Sequence, residues 1–158
     1  MKIEKAIFAC GCFWGGQHQM ERVIRSTVGY TGGKEQHPTY QEVKAHTTGH
    51  AEAVLVEYDA EQTTYKELCK LFFEIHDPAQ TDGQGPDIGP QYRSEIFYLN
   101  EAQKAEAEAI IQLLREKGYE VNTRLTPASE FWPAEDYHQH YYDKTGGEPY
   151  CHIRVKKF

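Results

Sequence analysis

A short apolar segment, Ala6-Ile7-Phe8-Ala9, runs almost directly into Gly11-Cys12-Phe13-Trp14-Gly15-Gly16. The residues from Gln17 to Ile24 then place Met20, Val23 and Ile24 at spacings suited to one helical face. A buried strand therefore delivers a thiol, through a glycine-bounded turn, to the start of a helix. Unpaired backbone N–H groups and the helix dipole favour an anion there. That setting lowers a thiol pKa, and the thiolate is the nucleophile. Glycines on both sides allow unusual backbone angles and a close approach by substrate. Taken alone, a structural cysteine among core aromatics accounts for the same residues.

The remaining organisation reads as strand 5–9, helix 14–24, a turn-rich stretch 29–49, strand 52–58 and helix 64–75. An irregular loop over 76–93 leads to strand 94–99, helix 101–117 and strand 119–125, with a short helix near 134–143 and a break at Gly146-Gly147. In the second helix Tyr65, Leu68, Cys69 and Phe72 share a face, which assigns Cys69 to the core. In the third, Ala105, Ala109, Ile110, Leu113 and Leu114 form the expected apolar stripe, and Gly118 stops it. Helices between successive strands suit either a two-layer α+β sandwich or a doubly wound sheet, and periodicity does not separate them. A connection as long as 76–93 in so small a domain is functional or disordered.

The length of 158 residues suits one domain with a proper core. A net charge of −7 argues against nucleic-acid and anionic-membrane partners, which need a basic face. The N-terminus lacks a secretory layout and no apolar run approaches a membrane span, so a cytoplasmic location is expected. Four cysteines, Cys10, Cys12, Cys69 and Cys151, are too few and too unevenly spaced for a disulfide scaffold. In a reducing compartment such thiols are more often catalytic, metal-bound or buried.

Chemistry concentrates in three further segments. Thr48-Gly49-His50-Ala51-Glu52-Ala53 sets Glu52 at the start of an apolar strand. Partial desolvation there raises a carboxyl pKa and suits a general acid. The loop 76–93 carries Asp87 and Tyr92 on either side of Gly89-Pro90, and Tyr40 follows His37-Pro38-Thr39. Phenol hydroxyls on rigid turns can donate to a substrate oxygen.

Together, Gly11-Cys12-Phe13-Trp14-Gly15, Pro38-Thr39-Tyr40-Gln41-Glu42-Val43, Thr48-Gly49-His50-Ala51-Glu52-Ala53 and Asp87-Ile88-Gly89-Pro90-Gln91-Tyr92-Arg93-Ser94 resemble the A-type peptide methionine sulfoxide reductases. The resemblance continues through Ala134-Glu135-Asp136-Tyr137-His138-Gln139 and Tyr150-Cys151, and so covers nearly the whole chain. It implies a single catalytic domain over 1–158: a two-layer α/β sandwich, class α+β, with a ferredoxin-like mixed sheet and an extended irregular tail from about residue 144. It implies that Cys12 attacks the sulfoxide sulfur, that Glu52 protonates the oxygen and that Tyr40 and Tyr92 hydrogen-bond that oxygen. Asp87 would help arrange the pocket, and Phe13 and Trp14 would hold the S-methyl group. Cys151 would resolve the oxidised Cys12. The family further implies selectivity for the S epimer, recycling by thioredoxin and no metal or organic cofactor. Free methionine sulfoxide and oxidised proteins are both candidate substrates, and a monomer is expected.

The chain departs from the family pattern in three ways, one being that it ends at Phe158, only seven residues beyond Cys151, so that one recycling thiol is the simplest expected scheme. Gln17 stands where most members carry Glu, with little catalytic loss expected because Glu52 remains. Cys10 makes Cys10-Gly11-Cys12. Residues two apart on an extended segment separate their Cα atoms by about 6.5–7 Å, the upper edge of disulfide reach, which favours Cys151 as resolver. A metal-binding module is a rival reading for a chain with eight histidines, including His46, His50, His138 and His140. No Cys-x-x-Cys pair or His-Glu-x-x-His spacing supports it.

Overall fold

The computed structural model describes residues 2–20, 23–45, 48–147 and 154–158. Strand β1 (Ile3–Cys10) leads to helix α1 (Phe13–Gln19), strand β2 (Arg25–Thr31), short helix α2 (Tyr40–Lys44) and strand β3 (Ala51–Asp59). Helix α3 (Tyr65–Glu74) precedes a two-residue hairpin pair, β4 (Gly83–Gln84) and β5 (Asp87–Ile88), and a 3-10 turn at Pro90–Tyr92. Strand β6 (Ser94–Tyr98), helix α4 (Glu101–Glu116), strands β7 (Arg124–Pro127) and β8 (Trp132–Pro133), a 3-10 turn at Asp136–His138 and helix α5 (Tyr141–Thr145) follow.

The sheet order is β7-β6-β1-β3-β2-β8. β1, β2, β3 and β6 pair antiparallel in the order β6-β1-β3-β2, while β7 joins β6 in parallel through α4. This is a split β-α-β pair interleaved with a second, the ferredoxin-like arrangement, extended by one β-α-β crossover. It is an α+β sandwich with an open mixed sheet.

Alternation along the strands separates two faces. Ala6, Phe8, Val54, Val56 and Ile96 face the helices and pack with Leu68, Phe72, Ile110 and Leu114. Phe8 stacks on Phe72 at 5.2 Å and on Tyr65 at 5.9 Å between ring centroids. Each such buried ring contributes about 1.5–3 kcal/mol, so Phe72→Ala strikes the centre of the fold. The other face, with Ile7, Ala9, Ala51, Ala53 and Phe97, is covered by Ala128 and Phe131.

Caps fix the long helices. The Thr64 side chain accepts from Glu67 N–H before α3, and Asn100 accepts from Gln103 N–H before α4. The buried face of α3 carries Tyr65, Leu68, Cys69 and Phe72, as the spacing predicts. The stripe on α4 is rotated from the expected one. Gln103, Ala107, Ile110, Ile111 and Leu114 are buried while Ala105 and Ala109 are exposed, because the two isoleucines and Leu114 outweigh the small alanines.

Other elements differ from the sequence expectation. Helix α1 stops at Gln19 rather than residue 24, and Ile24 is exposed. The stretch 29–49 contains the end of β2 and all of α2. β2 carries only Val28 and Tyr30 as bulky inward residues around Gly29, too weak an alternation to read. α2 had a legible signal: Thr39 and Glu42 form a reciprocal capping box. The strand expected at 119–125 lies at β7, and the helix expected over 134–143 divides into the second 3-10 turn and α5.

Candidate active site

β1 ends at Cys10 against Ser94 of β6, and its pairing with β3 ends at Phe8–Val54. Beyond that point the sheet opens, and the chain leaves through Gly11, whose φ of 95° needs a glycine. Cys12 follows as the N-cap residue of α1, 8% exposed, with a side chain that makes no capping bond. Its carbonyl accepts from Gly16 N–H at 3.2 Å. The next backbone N–H, that of Phe13, donates to Glu52 Oε1 at 3.2 Å. A carboxyl on β3 is thereby tied directly beside the thiol-bearing turn.

Glu52 is 2% exposed, more deeply buried than its place at a strand start suggests. Burial pushes its carboxyl up to about 8, against the Phe13 N–H and with a further push from the charge of Asp87. The group therefore keeps its proton at neutral pH and can give it up. Asp87, half-buried on β5, is close enough to act on Glu52 and Tyr92.

Tyr40 opens α2 and Tyr92 closes the first 3-10 turn. Tyr92 is hydrogen-bonded to Tyr40. Burial, then the charges of Glu52 and Cys12, push the Tyr40 phenol up to about 12. Burial and the same neighbours also raise Tyr92. Both remain neutral donors at neutral pH. The structure thus brings Cys12, Glu52, Tyr40, Tyr92 and Asp87 into one mutually interacting group.

An aromatic wall closes the other side. Phe13 is buried and its ring lies 5.2 Å from His138 and 5.6 Å from Tyr30. Trp14, half-buried, stacks on Tyr141 at 3.8 Å and donates its indole N–H to His138 Nδ1 at 2.9 Å. His138 itself is wholly buried and also packs on Tyr40 at 4.4 Å. The indole bond leaves the proton of the neutral imidazole on Nε2, which has no hydrogen-bond partner among the described residues. Burial lowers the His138 pKa, with the charge of Glu135 opposing.

The sequence assigns no role to Glu135 or Tyr141, and His138 enters there only as a candidate ligand in the rival metal-binding reading. Glu135 accepts from the Tyr30 hydroxyl at 2.9 Å and from Tyr40 N–H at 3.1 Å, so it fixes the start of α2. Although burial opposes ionisation, backbone N–H groups and Tyr30 hold its carboxyl below the usual range. His138 lies 124 residues from Trp14 along the chain, and no local pattern announces that pairing.

Gln17 is buried and accepts from His140 N–H at 2.6 Å while donating to the Ser26 carbonyl at 3.1 Å, joining α1 to β2 and to the entry of α5. Cys10 lies beneath α1, where a Cβ at Gly16 would come 2.9 Å from its Sγ. Cys69 is core, with its thiol pushed up to about 12 by burial. His50 is buried and structural, accepting from Gly33 N–H through Nδ1. Cys151, Tyr150 and His46 lie outside the described residues. Among the described residues no cluster of histidine, cysteine and acidic side chains is arranged to hold a metal, and no helix is long and apolar enough to cross a membrane.

A thiol beside a protonated carboxyl, two neutral phenols and an aromatic wall is suited to reducing a small polar oxide on an apolar group. Relatives agree. Residues 4–158 match the family profile described as peptide methionine sulfoxide reductase. The chain is 46% identical over 156 residues to the peptide methionine sulfoxide reductase MsrA of Acinetobacter baumannii (strain AYE), covering 97% of this chain and 90% of the relative. It superposes on the reduced form of Mxr1 from Saccharomyces cerevisiae with a TM-score of 0.89 and 35% identity, covering 97% of this chain and 92% of that one. Against Mxr1 in complex with Trx2 the TM-score is 0.64 at 25% identity, with 99% and 91% covered. By sequence and by fold alike, the chain belongs to the peptide methionine sulfoxide reductase family, thiol oxidoreductases that act on methionine sulfoxide.

Proposed function

We propose that Cys12 is the nucleophile and Glu52 the general acid in reduction of methionine S-sulfoxide to methionine. The sulfoxide oxygen is a poor leaving group, so a thiolate must attack sulfur while a proton reaches oxygen. One observation carries this reading: a carboxyl held to about 8 by burial is tied through Phe13 N–H to the residue next to the thiol. Tyr40 and Tyr92 donate to the same oxygen, and Asp87 helps shape the pocket. Phe13 and Trp14 receive the S-methyl group, which an apolar wall with few donors suits.

The attack forms a bond from Cys12 sulfur to the sulfoxide sulfur. Proton delivery and collapse release the thioether and leave, with the oxygen, a sulfenic acid at Cys12. Cys151 condenses with it, forming a Cys12–Cys151 disulfide and expelling water. A dithiol reductant then exchanges through a mixed disulfide and restores both thiols, becoming oxidised itself. Thioredoxin is that reductant, a reading supported by the solution of Mxr1 in complex with Trx2. The chain acts as one catalytic domain and monomer on free or protein-bound sulfoxide, with no metal or organic cofactor. Dithiol recycling suits a reducing compartment, and we place the chain in the cytoplasm.

The test exposes the reduced protein once to each methionine sulfoxide epimer without reductant, followed by intact-mass and peptide-mapped analysis. Loss of two hydrogens as a Cys12–Cys151 disulfide with the S epimer is the expected result. No mass change with either epimer refutes the assignment, and a disulfide through Cys10 removes Cys151 from its role.

A further inference from the structure

We infer that Arg93 is a positioning residue for sulfoxide reduction, holding the segments that carry Glu52 and Tyr92 in mutual register from the sheet face opposite Glu52. This rests on the acid role of Glu52 proposed above.

The site occupies the opening where β1 departs between β3 and β6. On its β2 flank, β3 is paired through Glu52 opposite Tyr30, but on its β1 flank the pairing stops at Val54. The entry to β3 therefore lacks a strand on that side. Arg93 stands in for it. Its guanidinium donates to Gly49 O, just before β3, at 3.0 Å and to Pro90 O, in the turn that ends at Tyr92, at 3.0 Å. The third direction is taken by Glu95 Oε1, which accepts from Nε at 2.7 Å. Glu95 is buried, and its other oxygen accepts from the Thr126 hydroxyl on β7.

One rigid planar fork thus ties the backbone three residues before the acid, at Gly49, and two before the phenol, at Pro90, to a carboxylate anchored in the sheet. Arg93 reaches them from beneath: a Cβ at Gly32 would lie 2.8 Å from the Phe97 ring and 3.0 Å from the guanidinium. Phe97 packs with Ala51 and Ala53, the neighbours of Glu52 that point to the opposite face. The acidity of Glu52 is set by burial, Phe13 and Asp87, so Arg93 acts on where the acid stands and not on whether it is protonated. Two donors that must converge on one oxygen tolerate about 0.5 Å of error, and a displacement of about 1 Å costs on the order of 100-fold in rate.

Lysine is a point charge that cannot fill three directions in one plane. Arg93→Lys should lower kcat by about 10- to 100-fold and leave KM within about twofold, because the wall at Phe13 and Trp14 is untouched. Arg93 also lines a cavity of about 420 Å³. Guanidinium chloride, compared with sodium chloride at equal ionic strength and below any unfolding, should therefore restore about tenfold or more of the rate lost in Arg93→Ala. A fold defect gives no such rescue. In single-turnover assays the double variant Arg93→Lys, Glu52→Gln should lose far less than the product of the two single losses. The inference alone is overturned if Arg93→Lys keeps its rate while Glu52→Gln is slow, if the loss falls on KM, if the losses multiply, or if guanidinium restores nothing. A normal rate in Glu52→Gln overturns the acid role itself, and the inference with it.

Discussion

Replacing Glu52 by glutamine probes the site through stability and rate together. The carboxyl moves from its ordinary 4.5 to about 8 in the folded chain, chiefly through burial. Between those values an unfolded chain ionises the group while the folded chain keeps its proton. The native state then binds more protons, so stability falls as pH rises. The loss starts near 4.5, grows until about 8 and levels once both states are ionised. Its full size is about 5 kcal/mol, an upper estimate for a group this deeply buried. Glutamine has nearly the same volume and still accepts from Phe13 N–H, but it has no charge to bury. Denaturant unfolding from about pH 5 to about pH 9 should show a variant whose advantage over wild type widens by several kcal/mol toward alkaline pH.

The rate should move oppositely. Losing a general acid costs about 100- to 10,000-fold. Wild-type single-turnover reduction should decline above pH of about 8, as Glu52 gives up its proton, and the slow variant should lack that limb. Parallel stability curves for the two proteins refute the buried, protonated carboxyl. A variant within about threefold of the wild-type rate, or a wild-type rate level through that pH, refutes its use as the acid.

Tyr92→Phe removes one of the two hydroxyls proposed to donate to the sulfoxide oxygen and should lower the single-turnover rate by about 100-fold at unchanged fold, with Tyr40→Phe similar; full activity in both excludes the phenols as donors. Trp14→Phe deletes the donor to His138 Nδ1 and should lower unfolding free energy by about 1–3 kcal/mol while raising KM, as checked by denaturant titration and steady-state kinetics. Gly16→Ala forces a Cβ to within 2.9 Å of Cys10 Sγ and 3.3 Å of Val54 Cγ2, and should cost about 1–3 kcal/mol. Adding Cys10→Ala should recover part of that loss, and no recovery in denaturant unfolding places the clash elsewhere.

The elements legible in the chain are those whose cause is local. The strand–glycine–thiol–helix opening, the buried face of α3, the end of α4 before Gly118 and the start of β3, at Ala51 and one residue before the expected position, follow from spacing and from turn chemistry within a few residues. Even there, the α4 stripe was misaligned, because side-chain volume and not apolar character alone decides which face turns inward. β2 escaped notice because its strand identity comes from pairing with β3 and β8, not from its own alternation.

Cys12, Glu52, Tyr40, Tyr92 and Asp87 can be named from their motifs, since each sits at a turn or strand start with a recognisable string around it. Their protonation cannot, because burial is a property of what packs on a group from distant segments. Glu52 becomes an acid near 8 only when the surrounding core buries it, with Asp87 adding to the rise and the Phe13 N–H opposing it. Glu135 and His138 gain their partners at Tyr30, Tyr40 and Trp14 from far along the chain. The Arg93 fork exists because β1 leaves the sheet and opens a flank that only the folded topology creates. The candidate reactive groups and the local turns that present them are written in the chain. The tertiary structure decided their charge states and their mutual registry, because both depend on desolvation and hydrogen bonding between residues that are neighbours only after folding.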